Sequence, residues 1–269
     1  MSGDHNLALF CDFENIALGV RDIKSAKFDM RLILERLLLK GSIVVKKAYC
    51  DWDRYKDFKA QMHGAAFELI EIPHVRQSGK NSADIRMVVD ALDLCYTKAH
   101  IDTFVIISGD SDFSPLVSKL RENAKTVIGV GVRASTSELL ISNCHEFIFY
   151  DDLIAETLPR TASRRRGARK GQAAKDDKAG AAAADSSEAG IQLVLETAEA
   201  LYAERGDRAK LWASMVKQAL RRRRPDFSEA AYGYKSFNDL IEDAAARGFM
   251  ELARDEKSGG LVIQKIHRP

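Results

Sequence analysis

Across residues 1–158 short apolar runs of strand length alternate with stretches whose apolar residues recur at helical spacing, and this alternation restricts the fold more than any other feature. Leu7–Phe13 reads as a buried strand, Ser42–Tyr49 is β-branched and strand-like, and Phe67–Ile72 is a strand ended by Pro73. Phe104–Ser108, Thr126–Val132 and Glu146–Tyr150 complete the strand set. Between them, Phe28–Leu39 carries Leu32, Ile33 and Leu37 at helical spacing, and Arg54–His63 and Phe113–Glu122 also read as helices. Asp84–Tyr96 is the clearest helix, with Ile85, Val88, Val89, Leu92 and Tyr96 on one face. Strands and helices in alternation predict an α/β fold with a mainly parallel sheet flanked by helices.

The pattern stops near Leu158. Residues 159–189 begin with Arg160, Arg164, Arg165, Arg166, Arg169 and Lys170 and continue into Ala181–Ala184. Almost no large apolar residue occurs there, so this stretch cannot build a core and reads as a basic, Ala-rich flexible linker, disordered or partly helical. Residues 190–269 regain periodicity in Ile191–Glu204, Leu211–Arg221 and Ser236–Arg247, then show a hairpin pattern, Phe249–Leu252 with Leu261–Ile266 around Ser258-Gly259-Gly260. A helix-rich unit closed by a hairpin has the form of a small winged helix-turn-helix. The expected domains are therefore 1–158, the linker 159–189, and 190–269.

A length of 269 residues allows two modest domains. The net charge of +2 argues neither for nor against nucleic acid. No run reaches the roughly 18 apolar residues of a membrane span, and the start does not read as a signal peptide. Cys11, Cys50, Cys95 and Cys144 are widely spaced in apolar surroundings, so they read as buried free thiols in a reducing cytoplasm rather than a zinc site.

Asp12 ends the first strand, and Asp110 and Asp112 follow the Phe104–Ser108 strand through Gly109. Asp84 opens the strongest helix. In an open parallel sheet, sites form at the carboxyl ends of strands, and these residues share that edge. Carboxylates gathered at one edge repel one another, and a hard cation such as Mg²⁺ or Mn²⁺ relieves the repulsion. A bound metal can activate water and neutralise charge on a phosphodiester. The plainer readings are that Asp84 and Asp112 cap their helices and that Gly109 serves a turn. Asp90 and Asp93 read as a solvated helix face, Lys80 and Arg86 as surface cations within reach of phosphate, and His74 and His145 as structural. Glu14 follows the strand directly and is left out of the central set.

Asp12-Phe13-Glu14-Asn15, Lys80-Asn81-Ser82-Ala83-Asp84 and Ser108-Gly109-Asp110-Ser111-Asp112-Phe113, in this order, together resemble the NYN domain, a relative of the PIN nucleases. The resemblance spans about residues 5–150. It implies a PIN-like fold, one or two divalent metals, and RNA cleavage by metal-activated water. Asp12, Asp84, Asp110 and Asp112 match the family's acidic positions as catalytic residues and metal ligands. Asn15 and Ser108 match positions that touch substrate or support the cluster. Homodimers are common among PIN-like domains, so the resemblance raises that assembly too.

Downstream, Trp212–Leu220, Pro225-Asp226-Phe227, Tyr232-Gly233-Tyr234-Lys235-Ser236-Phe237 and Leu240-Ile241 resemble the OST-HTH/LOTUS domain, a winged helix-turn-helix implicated in RNA binding or protein partnering. In the run Arg221–Arg224, Arg222 and Arg223 are candidates for phosphate contact, against the plainer reading of a solvated helix end. Tyr234 and Lys235 are candidate RNA contacts at the surface, whereas Phe227 and Phe237 read as core. The sequence thus predicts a cytoplasmic metal-dependent ribonuclease with a C-terminal RNA-binding module. The rivals are a non-catalytic RNA-binding scaffold and a metal-dependent phosphatase.

Overall fold

The computed structural model describes residues 5–21, 23, 28–72, 82–157, 177–205, 210–255 and 259–267. The chain divides into two compact units, Met1–Leu158 and Pro159–Pro269.

In the first unit the strands are β1 (His5–Asp12), β2 (Gly41–Cys50), β3 (Glu68–Glu71), β4 (Thr103–Ile107), β5 (Thr126–Gly131) and β6 (Glu146–Phe149). They form one sheet in the order β3-β2-β1-β4-β5-β6, with every pairing parallel. The helices are α1 (Phe13–Arg21), α2 (Met30–Leu38), α3 (Lys56–Gly64), α4 (Ser82–Thr97), α5 (Ser114–Glu122), α6 (Glu138–Asn143) and α7 (Tyr150–Thr157). Three of these, α1, α6 and α7, fall where the sequence reading assigned no helix. The α1 signal is present in the chain, since Phe13, Ile16, Ala17 and Val20 are buried at helical spacing. It is masked because α1 starts directly at the end of β1, with no turn residues between.

The alternation along β1 shows why its run is apolar throughout. Leu7, Leu9 and Cys11 join one core layer, with residues of α1 and α2, while Ala8 and Phe10 join the other, with residues of α4 and α5. A central strand covered on both faces has no polar side to display. Successive side chains point to opposite faces, so Asp12 continues the Ala8–Phe10 row, toward the layer that holds α4. On β4, Phe104 and Ile106 lie in that same layer, and Ser108 continues their row. All four cysteines are free and buried.

In the second unit, α8 (Asp177–Arg205), α9 (Ala213–Arg223) and α10 (Phe237–Ala246) pack around one core with a small sheet. The sheet is β7 (Leu211–Trp212), β9 (Leu261–Ile266) and β8 (Met250–Arg254) in that order, with both pairings antiparallel. Leu211 and Trp212 form a strand rather than the first turn of α9, which leaves Leu211 paired with Ile263. Helix α8 begins at Asp177, inside the stretch read as linker, because its alanines favour helix even without apolar side chains to bury. Phe227 and Phe237 are buried core residues, as their pattern predicted. Among the described residues no helix is long and apolar enough to cross a membrane.

Candidate active site

The strand order reverses between β1 and β4, so the helices that follow these strands leave a crevice at their carboxyl ends. Asp12 closes β1 and Ser108-Gly109-Asp110 follows β4 there. Ser108 is fully buried and its hydroxyl donates to Asp12 Oδ2 at 3.1 Å. The same hydroxyl oxygen accepts the Asp110 N–H at 3.2 Å. The backbone N–H of Asn15, in the first turn of α1, lies 3.3 Å from Asp12 Oδ1, and the Asn15 side-chain oxygen accepts the Gly109 N–H at 2.9 Å. Two adjacent strand ends are thus laced together by Asp12, Asn15 and Ser108. Gly109 serves more than a turn: a Cβ there would lie 2.6 Å from the Ser135 carbonyl oxygen, so only glycine lets the segment after β5 come this close.

Asp84 lies in the first turn of α4, inside the helix rather than capping it. Asp112 does not cap α5 either, because α5 has Phe113 at its cap position with no side-chain hydrogen bond. Asp110 is the capping residue here, its Oδ1 accepting the Asp112 N–H at 3.0 Å across the short turn Ser111–Phe113. A cleft of about 250 Å³ is lined by Asp12, Glu14, Asn15, Tyr49, Asp84 and Asp110, with Asp51 and Cys50 at its side. Asp112 is exposed and lines a separate depression with Ser114 and Leu139, so it stands at the rim.

Among the described residues Asp12, Asp84 and Asp110 have no ion pair with a cation, so like charges crowd in the cleft. Burial, then the neighbouring Asp84, push the Asp12 carboxyl up to about 7, against the hydrogen bonds from Asn15 and Ser108. Burial, then Asp110, Asp112 and Glu14, push Asp84 up to about 6. Hard carboxylate oxygens that resist ionisation together are suitable donors for a divalent cation, which would remove the repulsion that raises them. They are not a closed ligand set, however: among the described residues no group of three or more His, Cys, Asp or Glu is gathered closely enough to hold a metal ion.

Several residues stand elsewhere than the sequence suggested. Glu14, set aside for following the strand directly, lines the cleft from α1 and pairs with Arg54 at 3.5 Å. Asp51 also lines it; its position just past β2, at the same sheet edge, was the available signal. Asp90 is not on a solvated face: its side chain is 12% exposed and it accepts the Tyr49 hydroxyl. Arg86 is engaged with Asp90 as well. His145 is structural, its Nδ1 accepting the Val127 N–H at 3.0 Å. Lys80 and His74 lie outside the described residues. In the second unit Arg222, Arg223 and Lys235 are exposed, while Tyr234 is half-buried and donates its hydroxyl to Asp243 at 2.6 Å.

A parallel six-stranded sheet with carboxylates at its switch point defines an α/β protein of the PIN-like kind. The NYN domain family model matches residues 6–152, and the chain belongs to that family. An uncharacterized protein of Methanocaldococcus jannaschii is 28% identical over 138 residues, 51% of this chain and 52% of its own length. The meiosis regulator and mRNA stability factor 1 of Xenopus tropicalis is 27% identical over 154 residues, 57% of this chain but 9% of that protein. A crystal structure of a protein of unknown function from Vibrio parahaemolyticus superposes with a TM-score of 0.50 at 25% identity, over 57% of this chain and 97% of that one. The chain thus spans about half the length of the archaeal relative and a small part of the frog one.

Proposed function

We propose that this protein is a metal-dependent ribonuclease whose N-terminal unit hydrolyses RNA phosphodiester bonds and whose C-terminal unit, a LOTUS-like winged helix, holds the RNA. The observation that carries the reading is that Asp12, Asn15, Asp84 and Asp110 line one cleft at the switch point of an NYN-family sheet, with Asp12 pushed up by burial and by Asp84. Such a perturbed acid in a cleft at the carboxyl edge marks a functional site. Mg²⁺ or Mn²⁺ bound by Asp12, Asp84 and Asp110, with Asp112 at the rim, directly or through waters, would supply an activated water and offset phosphodiester charge.

The chain's own residues prepare the cleft for this. Ser108 fixes one oxygen of Asp12 and the Asn15 N–H faces the other, so the carboxylate is held in one orientation. Asn15 commits its side-chain oxygen to Gly109, which leaves its amide NH₂ end to donate to a phosphate oxygen. In the second unit, Arg222 and Arg223 lie in the last turn of α9, exposed and without an ion pair among the described residues. They suit phosphate contact of the salt-dependent, sequence-independent kind. Lys235 is also exposed, while the Tyr234 hydroxyl proton is committed to Asp243. The frog relative's name, which concerns mRNA stability, is consistent with an RNA substrate.

The open arrangement of the carboxylates favours one second reading, a non-catalytic RNA-binding scaffold. Cleavage of end-labelled single-stranded and structured RNA with Mg²⁺ or Mn²⁺, comparing the protein with its Asp110→Asn/Asp112→Asn variant, separates the two. Metal-dependent cutting lost in the variant supports the nuclease. RNA binding without cutting supports the scaffold, and equal cutting by both sinks the site assignment.

A further inference from the structure

Beside the cleft lies a second cluster of acidic and basic side chains that the proposed chemistry does not use. Asp90 sits on α4 six residues after Asp84, about 9 Å along the helix axis. Its Oδ2 accepts the Tyr49 hydroxyl at 2.9 Å, and its Oδ1 accepts Arg86 Nε at 3.0 Å. Lys47 Nζ stands 3.5 Å from Asp90 Oδ2 and 3.5 Å from Glu68. Asp90 and Lys47 are mostly enclosed, with side chains 12% and 18% exposed. Asp90 therefore has cationic partners within the protein, which among the described residues Asp12 and Asp84 do not.

Its partner Tyr49 connects it to the site. Tyr49 pairs in register with Asp12 across β1 and β2, is 1% exposed, and lines the cleft with Asp12 and Asp84. One hydrogen bond thus ties the strand position beside Asp12 to the helix that carries Asp84. The other buried anchors of α4 are Met87, Ala91 and Cys95. Apolar packing of this kind is non-directional. A partly buried carboxylate that accepts two hydrogen bonds and faces a lysine is directional, because displacing it leaves charge uncompensated.

We infer that Tyr49 and Asp90, supported by Lys47 and Arg86, are positioning residues that fix α4 against β2 and so hold Asp84 opposite Asp12. The geometry stands by itself; its catalytic consequence rests on the nuclease reading. Burial and the bond to Asp90 push the Tyr49 phenol up, so it remains a donor throughout the working pH range.

The test uses the full chain with Tyr49→Phe, which keeps the buried ring and deletes the hydroxyl, and Asp90→Asn, which keeps an acceptor and deletes the charge. Hydrogen exchange of the amides at 84–90 is expected to quicken in both. Tyr49→Phe is expected to lower kcat about tenfold with the KM for RNA unchanged, and to raise the Mn²⁺ concentration for half-maximal protection against thermal unfolding about tenfold, the usual cost of losing support behind a ligand. Unchanged exchange in both variants overturns the inference. So does a lower unfolding midpoint with kcat and Mn²⁺ requirement intact, which is what a purely structural contact would give. If the unsubstituted protein neither cuts RNA nor gains stability from Mn²⁺, the nuclease reading fails, and the exchange measurement alone decides the positioning role.

Discussion

The cleft acids of the first unit and the paired acids of the second are treated in opposite ways, although the first unit also holds Asp29 and Asp102 low. In the first, Asp12 is pushed up to about 7 by burial and then by Asp84, and Asp84 to about 6 by burial and then by Asp110, Asp112 and Glu14. In the second, the Tyr234 hydroxyl, followed by Arg247, holds Asp243 below the usual carboxylate range. Glu229 is held low despite its burial, through Lys217 at 2.7 Å. A carboxylate held low has its charged form favoured by hydrogen bonds and cations, whereas one pushed high has it disfavoured by burial and like charge. Asp90 shows that the contrast is not between domains as such, since the first unit supplies Asp90 with Arg86 and Lys47, whereas among the described residues Asp12 has no such ion pair.

The largest effect expected from breaking this contrast is on catalysis. Asp12→Asn should reduce metal-dependent RNA cleavage by about a hundredfold or more, because several kcal/mol of charge stabilisation disappears. Single-turnover cleavage at saturating Mg²⁺ measures it, and near-normal turnover would remove Asp12 from the site. Next in size is RNA retention by the second unit. Arg222→Ala/Arg223→Ala should weaken RNA binding about tenfold at low salt and flatten the dependence of affinity on salt, as expected for lost phosphate contacts. Filter binding across a salt series would show this, and an unaltered slope would return these arginines to a solvated helix end.

Stability sharpens the contrast through its sign. A carboxylate pushed up in the folded state holds its proton there more tightly than in the unfolded chain, so its contribution to stability is present at low pH and is lost as pH rises. For Asp12 that window runs from the ordinary value of 3.8 to about 7. The metal-free protein should therefore lose stability from this site between those values, and Asp12→Asn should raise its melting temperature at pH 8 by a few degrees, roughly what 1 kcal/mol gives in a domain of this size. Calorimetry in chelator checks the direction. Asp243, held low, has the opposite slope: its contribution is present above 3.8 and is lost as pH falls below it. The smallest effect is Asp243→Asn, expected to cost about 0.5 kcal/mol at pH 7 because the pair is partly exposed. Stabilisation by that change would end the comparison.

Much of the site was legible in the chain because strand periodicity determines it. Once Leu7–Phe13 and Phe104–Ser108 are read as adjacent parallel strands, Asp12 and Asp110 must emerge at one edge. The same logic missed Glu14 and Asp51, since one lies in a helix that follows its strand with no turn signal and the other just past a strand end. It misplaced Asp90, because helical spacing gives an angle around the axis but not which neighbouring strand extends a polar group to it.

What the sequence by itself determined is therefore the alternation, the parallel sheet, and the set of acids and hydroxyls at its carboxyl edge, because these follow from local periodicity and from the short connections it permits. Which acids remain uncompensated was decided only in the tertiary structure. Burial, the approach of Asp84 on α4 to Asp12 on β1, and the donors reaching Asp90 from β2 join residues far apart in the chain. Charge compensation depends on distance and desolvation in space.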